Sequence, residues 1–228
     1  MIAPSSPPVV SLNNLVKFFG RFAALRGISA EFTSGRLYVI LGDNGAGKST
    51  LLRIVAGLME PSQGSVTVLG APRFRDVVHR VGYMGHAPLL YDELSGMENL
   101  RYFAGLYGIR DDEVGRRAVR NVGLDPDLSR RVGQYSQGMR QRLSLARSAL
   151  HDPELILLDE PFSNVDIHSA RDMAAVLGRV RDRGKSIFVV THQAALMEGV
   201  ADEFVHMSAG LIVDRDAIAR PAELKSAR

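Results

Sequence analysis

A glycine-rich loop near residue 45 is the segment whose residue types and spacing best suit phosphate chemistry. Its residues are Gly42, Asp43, Asn44, Gly45, Ala46, Gly47, Lys48, Ser49 and Thr50. They fit the pattern G-x-x-x-x-G-K-[ST], in which glycines let backbone N–H groups curl around phosphate oxygens. Lys48 would reach the outer phosphates, and the Ser49 hydroxyl would ligate Mg²⁺. The loop predicts a nucleotide-binding site; the alternative is a structural glycine turn with an exposed lysine.

Two acidic residues follow a continuous apolar run. Leu155 to Leu158 are all aliphatic, and Asp159 and Glu160 come directly after them. Such a run is typical of a buried parallel strand, and ligands bind at the carboxyl ends of these strands. Asp159 is expected to hold Mg²⁺ directly or through water, and Glu160 to polarise the water that attacks the outer phosphate. A turn that only caps the strand is the alternative for the acid pair alone.

A third segment of interest opens a helix 24 residues before Glu160. Ser136 and Gly138 precede a pattern of apolar residues at helical spacing. A helix N-terminus suits an anion because its first N–H groups lack partners within the helix. Taken alone, this segment is equally typical of an ordinary helix cap.

These residues need a scaffold, and the apolar pattern predicts an α/β one. Apolar runs predict strands over residues 36–41, 64–70, 81–85, 154–159 and 186–191. Helical spacing is seen after Lys48 and again in two later sets, which are Leu100, Phe103, Ala104 and Tyr107, and Met139, Leu143, Ala146 and Leu150. The alternation predicts a mostly parallel sheet covered on both faces, with a strand-poor helical subdomain inserted from about residue 86 to 150.

Composition limits the possible functions. The chain has 228 residues, of which 46% are hydrophobic and 23% charged, and it contains no cysteine. Thiol catalysis, disulfides and cysteine-ligated metal sites are therefore excluded. The formal charge is only +3 and no long block of like charges occurs, so the charge does not by itself indicate a nucleic-acid partner and would equally suit an anionic membrane surface. No apolar run is long enough to span a bilayer, so we expect a soluble, intracellular chain with a disordered lead over residues 1–8.

In combination, the three motifs resemble those of ATP-binding-cassette (ABC) ATPases. The resemblance extends from about Val9 to Asp214. It implies a P-loop NTPase of ABC type, with a RecA-like parallel sheet core, an N-terminal antiparallel β subdomain and an inserted helical subdomain. A single domain over residues 9–228 is expected, with its core at 9–85 and 151–228.

The resemblance also implies roles for individual residues. Gly42 to Thr50 match the Walker A loop, Asp159 and Glu160 the Walker B acid and the catalytic glutamate, and Ser136 and Gly138 the signature motif. The remaining matches are Phe19, which would stack on adenine, Asp166 of the D-loop, and His192, the switch histidine near the outer phosphate.

The sequence departs from the family pattern at three positions in two motifs. His86 stands where a glutamine is usual; histidine still ligates Mg²⁺ or hydrogen-bonds water, but its charge changes near neutral pH. Gln137 and Met139 replace residues common in the signature, although Ser136 and Gly138 are kept.

The resemblance implies a homodimer that closes head to tail over two ATP molecules. Integral-membrane permease subunits would dock beside His86, so the chain would be cytoplasmic and peripheral on the inner face of the cell membrane. The segment after His86 most resembles ATPases of the haem-exporter type, from cytochrome c maturation. The alternatives are an ATPase of a polysaccharide, lipid, drug or antibiotic exporter and, more distantly, a soluble assembly factor. The short stretch between Lys48 and Ser136 excludes the coiled-coil insertions of DNA-repair relatives, and no nucleic-acid partner is expected.

Overall fold

The computed structural model describes residues 8–218, and within them the chain forms nine β-strands and five α-helices. The strands are β1 (Pro8–Phe19), β2 (Phe22–Thr33), β3 (Leu37–Leu41), β4 (Gln63–Val68), β5 (Val81–Met84), β6 (Leu155–Asp159), β7 (Ser186–Val190), β8 (Glu203–Ser208) and β9 (Leu211–Ala217). The helices are α1 (Lys48–Val55), α2 (Gly96–Leu106), α3 (Asp112–Asn121), α4 (Gln137–Ser148) and α5 (Ile167–Asp182). The expected disordered lead lies outside the described residues except for Pro8, which begins β1.

The larger sheet has six strands in the order β5-β6-β7-β3-β8-β9. Its first five strands are parallel, and β9 joins the edge antiparallel to β8. Every residue of β6 and β7 is buried, because helices cover both faces of the sheet. The predicted parallel sheet is confirmed, and the parallel register brings the carboxyl ends of β3 and β6 to the same edge.

The smaller sheet has three antiparallel strands in the order β2-β1-β4. The apolar run over residues 64–70 does form a strand, β4, but it belongs to this second sheet. β1 and β2 are twelve residues each and make a long hairpin with several register shifts. The hairpin turns at Gly20, whose φ of 58° suits a glycine in a two-residue loop. Because the loop is so short, Phe19 lies directly opposite Phe22.

The hydrophobic interior is divided by the larger sheet into two layers. On one face, α1 packs between the two sheets with an aromatic cluster of Phe32, Tyr38 and Phe188, whose ring centroids are 4.9–5.0 Å apart. On the other face, α2, α4 and α5 bury their apolar sides. Aromatic edge-to-face packing of this kind adds to the free energy gained by burial.

The stretch between β5 and β6 holds α2, α3 and α4, and the described residues of this stretch form no strand. Side chains cap the helix starts: Ser95 and Glu98 form a reciprocal capping box at α2. Of the predicted apolar face of α2, Leu100 and Ala104 are buried, but Tyr107 is 46% exposed. The proposed boundaries of a helical subdomain at about residues 86 and 150 lie between β5 and α2 and between α4 and β6.

No helix within residues 8–218 combines the length and the apolar character required to cross a bilayer.

Asn99 fixes the segment that joins β5 to α2. Its side chain is fully buried; its oxygen accepts a hydrogen bond from the Tyr91 N–H at 2.8 Å. Its amide nitrogen donates to the carbonyl oxygens of Tyr91 and Ser95, each at 3.0 Å. One buried side chain therefore satisfies three main-chain groups of this segment.

Replacing Asn99 by alanine should lower the free energy of unfolding by about 2–3 kcal/mol, because buried main-chain groups lose their partners. Urea unfolding followed by circular dichroism measures this. Asn13→Ala, at an exposed site on β1, is the control and should change stability by less than about 0.5 kcal/mol. Equal effects of the two variants would contradict the role given to Asn99.

Candidate functional site

The glycine-rich loop runs from the end of β3 into α1 with a backbone that glycine makes possible. Gly42, Gly45 and Gly47 have φ values of 146°, 85° and 99°. A Cβ atom added at Gly42 would lie 2.1 Å from the Met207 carbonyl oxygen. The loop therefore combines a left-handed backbone with a close approach to β8, and it turns its N–H groups toward the start of α1.

Lys48 folds back over this loop. Its ammonium donates to the carbonyl oxygens of Gly42 at 2.6 Å and Asp43 at 3.0 Å, and only 6% of the residue is exposed. Burial lowers the pKa of Lys48, while the nearby carboxylates of Glu160 and Asp159 raise it. The loop thus holds a positive charge beside its own backbone, which suits a phosphate.

Ser49 and Asp159 meet across the gap between α1 and β6. The Ser49 hydroxyl donates to Asp159 Oδ1 at 2.8 Å. A hydroxyl and a carboxylate are the hard oxygen ligands that Mg²⁺ takes together with nucleotide phosphates. Among the described residues, no cluster of three or more His, Asp or Glu side chains is arranged to hold a metal ion by itself.

Glu160 and His192 face each other at the ends of β6 and β7. His192 Nε2 lies 3.3 Å from Glu160 Oε1, and the Glu160 N–H donates to the Val190 carbonyl at 2.9 Å. Burial raises the pKa of the Glu160 carboxyl, with His192 and Lys48 acting in the opposite direction. Glu160 also has a φ of 54°, a left-handed conformation that turns the chain sharply after the strand. A carboxylate held in this way can orient or deprotonate a water molecule.

Most of these groups line one cavity of about 470 Å³. The predicted site residues that line it are Phe19, Asn44, Gly45, Ala46, Gly47, Lys48, Ser49, Thr50, His86, Glu160 and His192. Phe22, Ala24 and Ser163 also line it and were missed from the sequence. Phe22 lies three residues after Phe19, and Ser163 lies three residues after Glu160. This proximity to predicted site residues was the only sequence feature that could have indicated them.

Six predicted residues do not line this cavity. Gly42, Asp43 and Asp159 adjoin lining residues in the chain, whereas Ser136, Gly138 and Asp166 belong to the starts of α4 and α5. Ser136 caps α4 by accepting a hydrogen bond from the Met139 N–H at 3.3 Å. Asp166 caps α5 in the same way, and its hydrogen bond from the Ser169 N–H, at 2.9 Å, lowers its pKa. Gly138 lies beside the start of α5. A single chain therefore does not bring Ser136, Gly138 or Asp166 to the cavity.

A family model described as "ABC transporter" matches residues 25–163 of the chain, from β2 to the turn after β6. The matched segment includes the glycine-rich loop, Ser136, Asp159 and Glu160. The chain belongs to the ABC transporter ATPase family. Its cassette hydrolyses ATP, as the members of this family do to power transport.

Curated relatives match nearly the whole cassette. The ABC transporter ATP-binding protein NatA of Bacillus subtilis is 36% identical over 86% of this chain and 82% of its own length. A fluoroquinolones export ATP-binding protein of Mycobacterium tuberculosis is 40% identical over 90% of this chain and 68% of its own length. The bacitracin transport ATP-binding protein BcrA of Enterococcus faecalis is 31% identical over the same shares. These relatives do not support the expected haem-exporter type.

Solved structures agree with the fold of the cassette. The ATP-binding subunit of an ABC transporter is 28% identical and superposes with a TM-score of 0.81 over 92% of this chain and 90% of its own. A dimeric bacterial ABC transporter cassette, 21% identical, superposes with a TM-score of 0.84 over 92% of this chain and 99% of its own. The α/β fold of ABC type is confirmed.

Two glycines of the loop make a matched pair for testing the close approach to β8. Both have positive φ, but an added Cβ clashes only at Gly42, whereas nothing lies within 4 Å of one at Gly45. Gly45→Ala should cost about 1 kcal/mol for its backbone alone, and Gly42→Ala about 3 kcal/mol or more. Thermal unfolding of both variants measures the difference. Similar melting temperatures would show that the loop does not depend on this contact.

Proposed function

We propose that this cassette is the ATP-hydrolysing subunit of an exporter whose cargo path lies in a separate membrane permease. The observation that carries the proposal is the 40% identity to a fluoroquinolones export ATPase over 90% of the chain. Similarity to a bacitracin transport ATPase supports the same class. The cargo class is therefore a drug, an antibiotic or another amphipathic molecule.

ATP would bind along the cavity, with its phosphates in the loop from Gly42 to Thr50. The backbone N–H groups and the start of α1 would face the phosphate oxygens. Lys48 would exchange its two bonds to loop carbonyls for the outer phosphates, since its ammonium already lies at the loop. Phe19, at the other end of the cavity, would stack on the adenine ring.

Ser49, Asp159 and His86 are the residues that would hold Mg²⁺ beside the phosphates. When bound, Mg²⁺ neutralises phosphate charge during transfer. The hydrogen bond between Ser49 and Asp159 keeps both oxygens close to the first residues of α1. His86 is exposed at the cavity wall, where its ring can turn toward the metal or the attacking water.

Glu160 would act as the base that orients and deprotonates the attacking water. Its carboxylate is partly buried, which raises its pKa and makes it a better proton acceptor. His192, 3.3 Å away, would hold the carboxylate in place and donate to the outer phosphate.

Two chains would close head to tail over two ATP molecules. Ser136, Gly138 and Asp166 lie outside the cavity of their own chain, so they are available to cover the nucleotide of a partner. The start of α4, opened by Ser136 and Gly138, is a helix N-terminus and suits the outer phosphate of a partner's nucleotide. The dimeric cassette among the structural neighbours supports this arrangement.

The permease would dock on an exposed apolar patch beside His86, formed by Leu89, Tyr91, Tyr102, Leu106 and Tyr107. Each of these residues is at least 44% exposed. Patches of large apolar side chains mark interaction sites. Through this contact the cassette would lie on the inner, cytoplasmic face of the cell membrane. A nucleic-acid partner is not proposed.

A second candidate is an ATPase of haem-exporter type, from cytochrome c maturation. His86 favours it, because this histidine replaces a glutamine that is usual in the family and lines the cavity. Both candidates share the ATPase site and differ only in the permease.

Glu160→Gln should bind ATP with nearly unchanged affinity, lose at least about 100-fold in phosphate release and accumulate as a dimer with ATP. Phosphate release and light scattering measure these properties. Lys48→Ala is the comparison, because it should lose nucleotide binding and stay monomeric. Turnover of Glu160→Gln at the wild-type rate would exclude Glu160 as the base.

The partner is tested by purifying the tagged Glu160→Gln chain, with ATP, from gently solubilised native membranes. Leu106→Glu, added in the patch, should abolish permease capture, whereas Leu58→Glu, at a site of similar exposure outside it, should not. A multidrug-type permease would support the first candidate and small cytochrome-maturation subunits the second. Recovery of soluble proteins only would overturn the transport role but leave the ATPase activity standing.

A further inference from the structure

Phe22 is a large apolar side chain that the protein leaves exposed at the mouth of the nucleotide cavity. Its exposed fraction is 60%, more than the 47% of Phe19. Both residues line the cavity, and neither belongs to the hydrophobic clusters of the interior. The Phe22 ring does not contribute to the packed interior. Its exposure therefore points to a ligand or partner that covers the ring.

The hairpin between β1 and β2 sets the two rings on the same side. Phe19 and Phe22 are directly opposite in the register, with only Gly20 and Arg21 between them. Opposite residues of an antiparallel pair have Cβ atoms about 5 Å apart and project from the same face. Phe18 is next to Phe19 in the strand, so its side chain points to the other face. Phe18 does not line the cavity.

The rings of Phe19 and Phe22 do not touch each other. Among the described residues, neither ring makes a stacked or edge-to-face contact with another aromatic ring. The Lys17 ammonium lies 5.5 Å from the centroid of Phe19 and is held there by the Glu60 carbonyl. A cation therefore sits over Phe19, while Phe22 carries no such neighbour. A flat base packed between two rings needs contact distances of about 3.5 Å on each side, which is a ring separation of about 7 Å.

We propose that Phe22 is a specificity-determining residue that packs on the face of the nucleotide base opposite Phe19, so that the base is held between two aromatic rings. The inference rests on the proposed nucleotide site and adds a second ring to it. Neither ring carries a hydrogen-bonding group. Their contribution to affinity therefore comes from stacking on the base.

The test compares a ligand that carries a base with one that does not. Isothermal titration calorimetry measures binding of ADP and of inorganic tripolyphosphate, each with Mg²⁺, to the full chain. Phe22→Ala should weaken ADP binding about tenfold, within the range for removing one aromatic stacking partner. Binding of tripolyphosphate should be unchanged. Phe22→Tyr should restore ADP affinity, whereas Phe22→Leu, which keeps apolar area without an aromatic face, should not.

Phe18→Ala is the matched control, because it removes a neighbouring exposed ring from the other face of the hairpin. It should bind both ligands as the wild type does. Phe19→Ala reports on the base site itself. Loss of ADP affinity in Phe19→Ala with none in Phe22→Ala would overturn this inference and leave the nucleotide site standing. An equal loss of tripolyphosphate affinity in Phe22→Ala would also overturn it, and failure of the wild-type chain to bind ADP would overturn the proposed function as well.

Discussion

Close packing of three backbone segments holds the nucleotide loop, and the rest of the site depends on it. The Gly210 N–H, between β8 and β9, donates to the Ala46 carbonyl at 3.1 Å, and the Arg26 N–H of β2 donates to the Gly210 carbonyl at 2.9 Å. A Cβ atom at Gly47 would lie 2.6 Å from the Ala24 carbonyl. Both sheets thus contact the loop through main-chain atoms. Side-chain substitutions nearby leave these contacts intact, whereas a methyl group at a glycine does not.

The parallel core could be predicted from the sequence because its strands are buried on both faces. The runs that became β3, β6 and β7 are almost entirely apolar. The pattern of apolar residues did not predict β1, β2, β8 or β9. Exposed and charged residues interrupt these strands, and register shifts break their alternation of apolar and polar residues. The family resemblance predicted the antiparallel β subdomain but not the residues at which its strands begin and end. Tyr107 fits the helical spacing of α2 and is nevertheless exposed. The spacing of apolar residues predicts that they share one face of a helix, but it does not predict which other element covers that face.

The motif residues could be predicted because nucleotide chemistry fixes their types and order. Lys48, Ser49, Glu160 and His192 come together as expected, joined by the parallel ends of β6 and β7. Phe22 could not be found in this way, since no motif contains it and its placement follows from the two-residue turn of the hairpin. The separation of Ser136 from the cavity of its own chain was implied by the family resemblance, in which two chains close head to tail, and not by spacing along the chain.

The N-terminal parts of α4 and α5 contact each other. A Cβ atom on Gly138 would lie 3.4 Å from Ser169 Oγ, and the Arg142 guanidinium binds Asp172 at 2.9 Å. Arg142 also donates to the Val122 carbonyl after α3, at 3.1 Å. Side-chain contacts therefore tie the two helix starts to each other and to the end of α3. In the proposed dimer, these two starts would approach the partner's nucleotide as one unit.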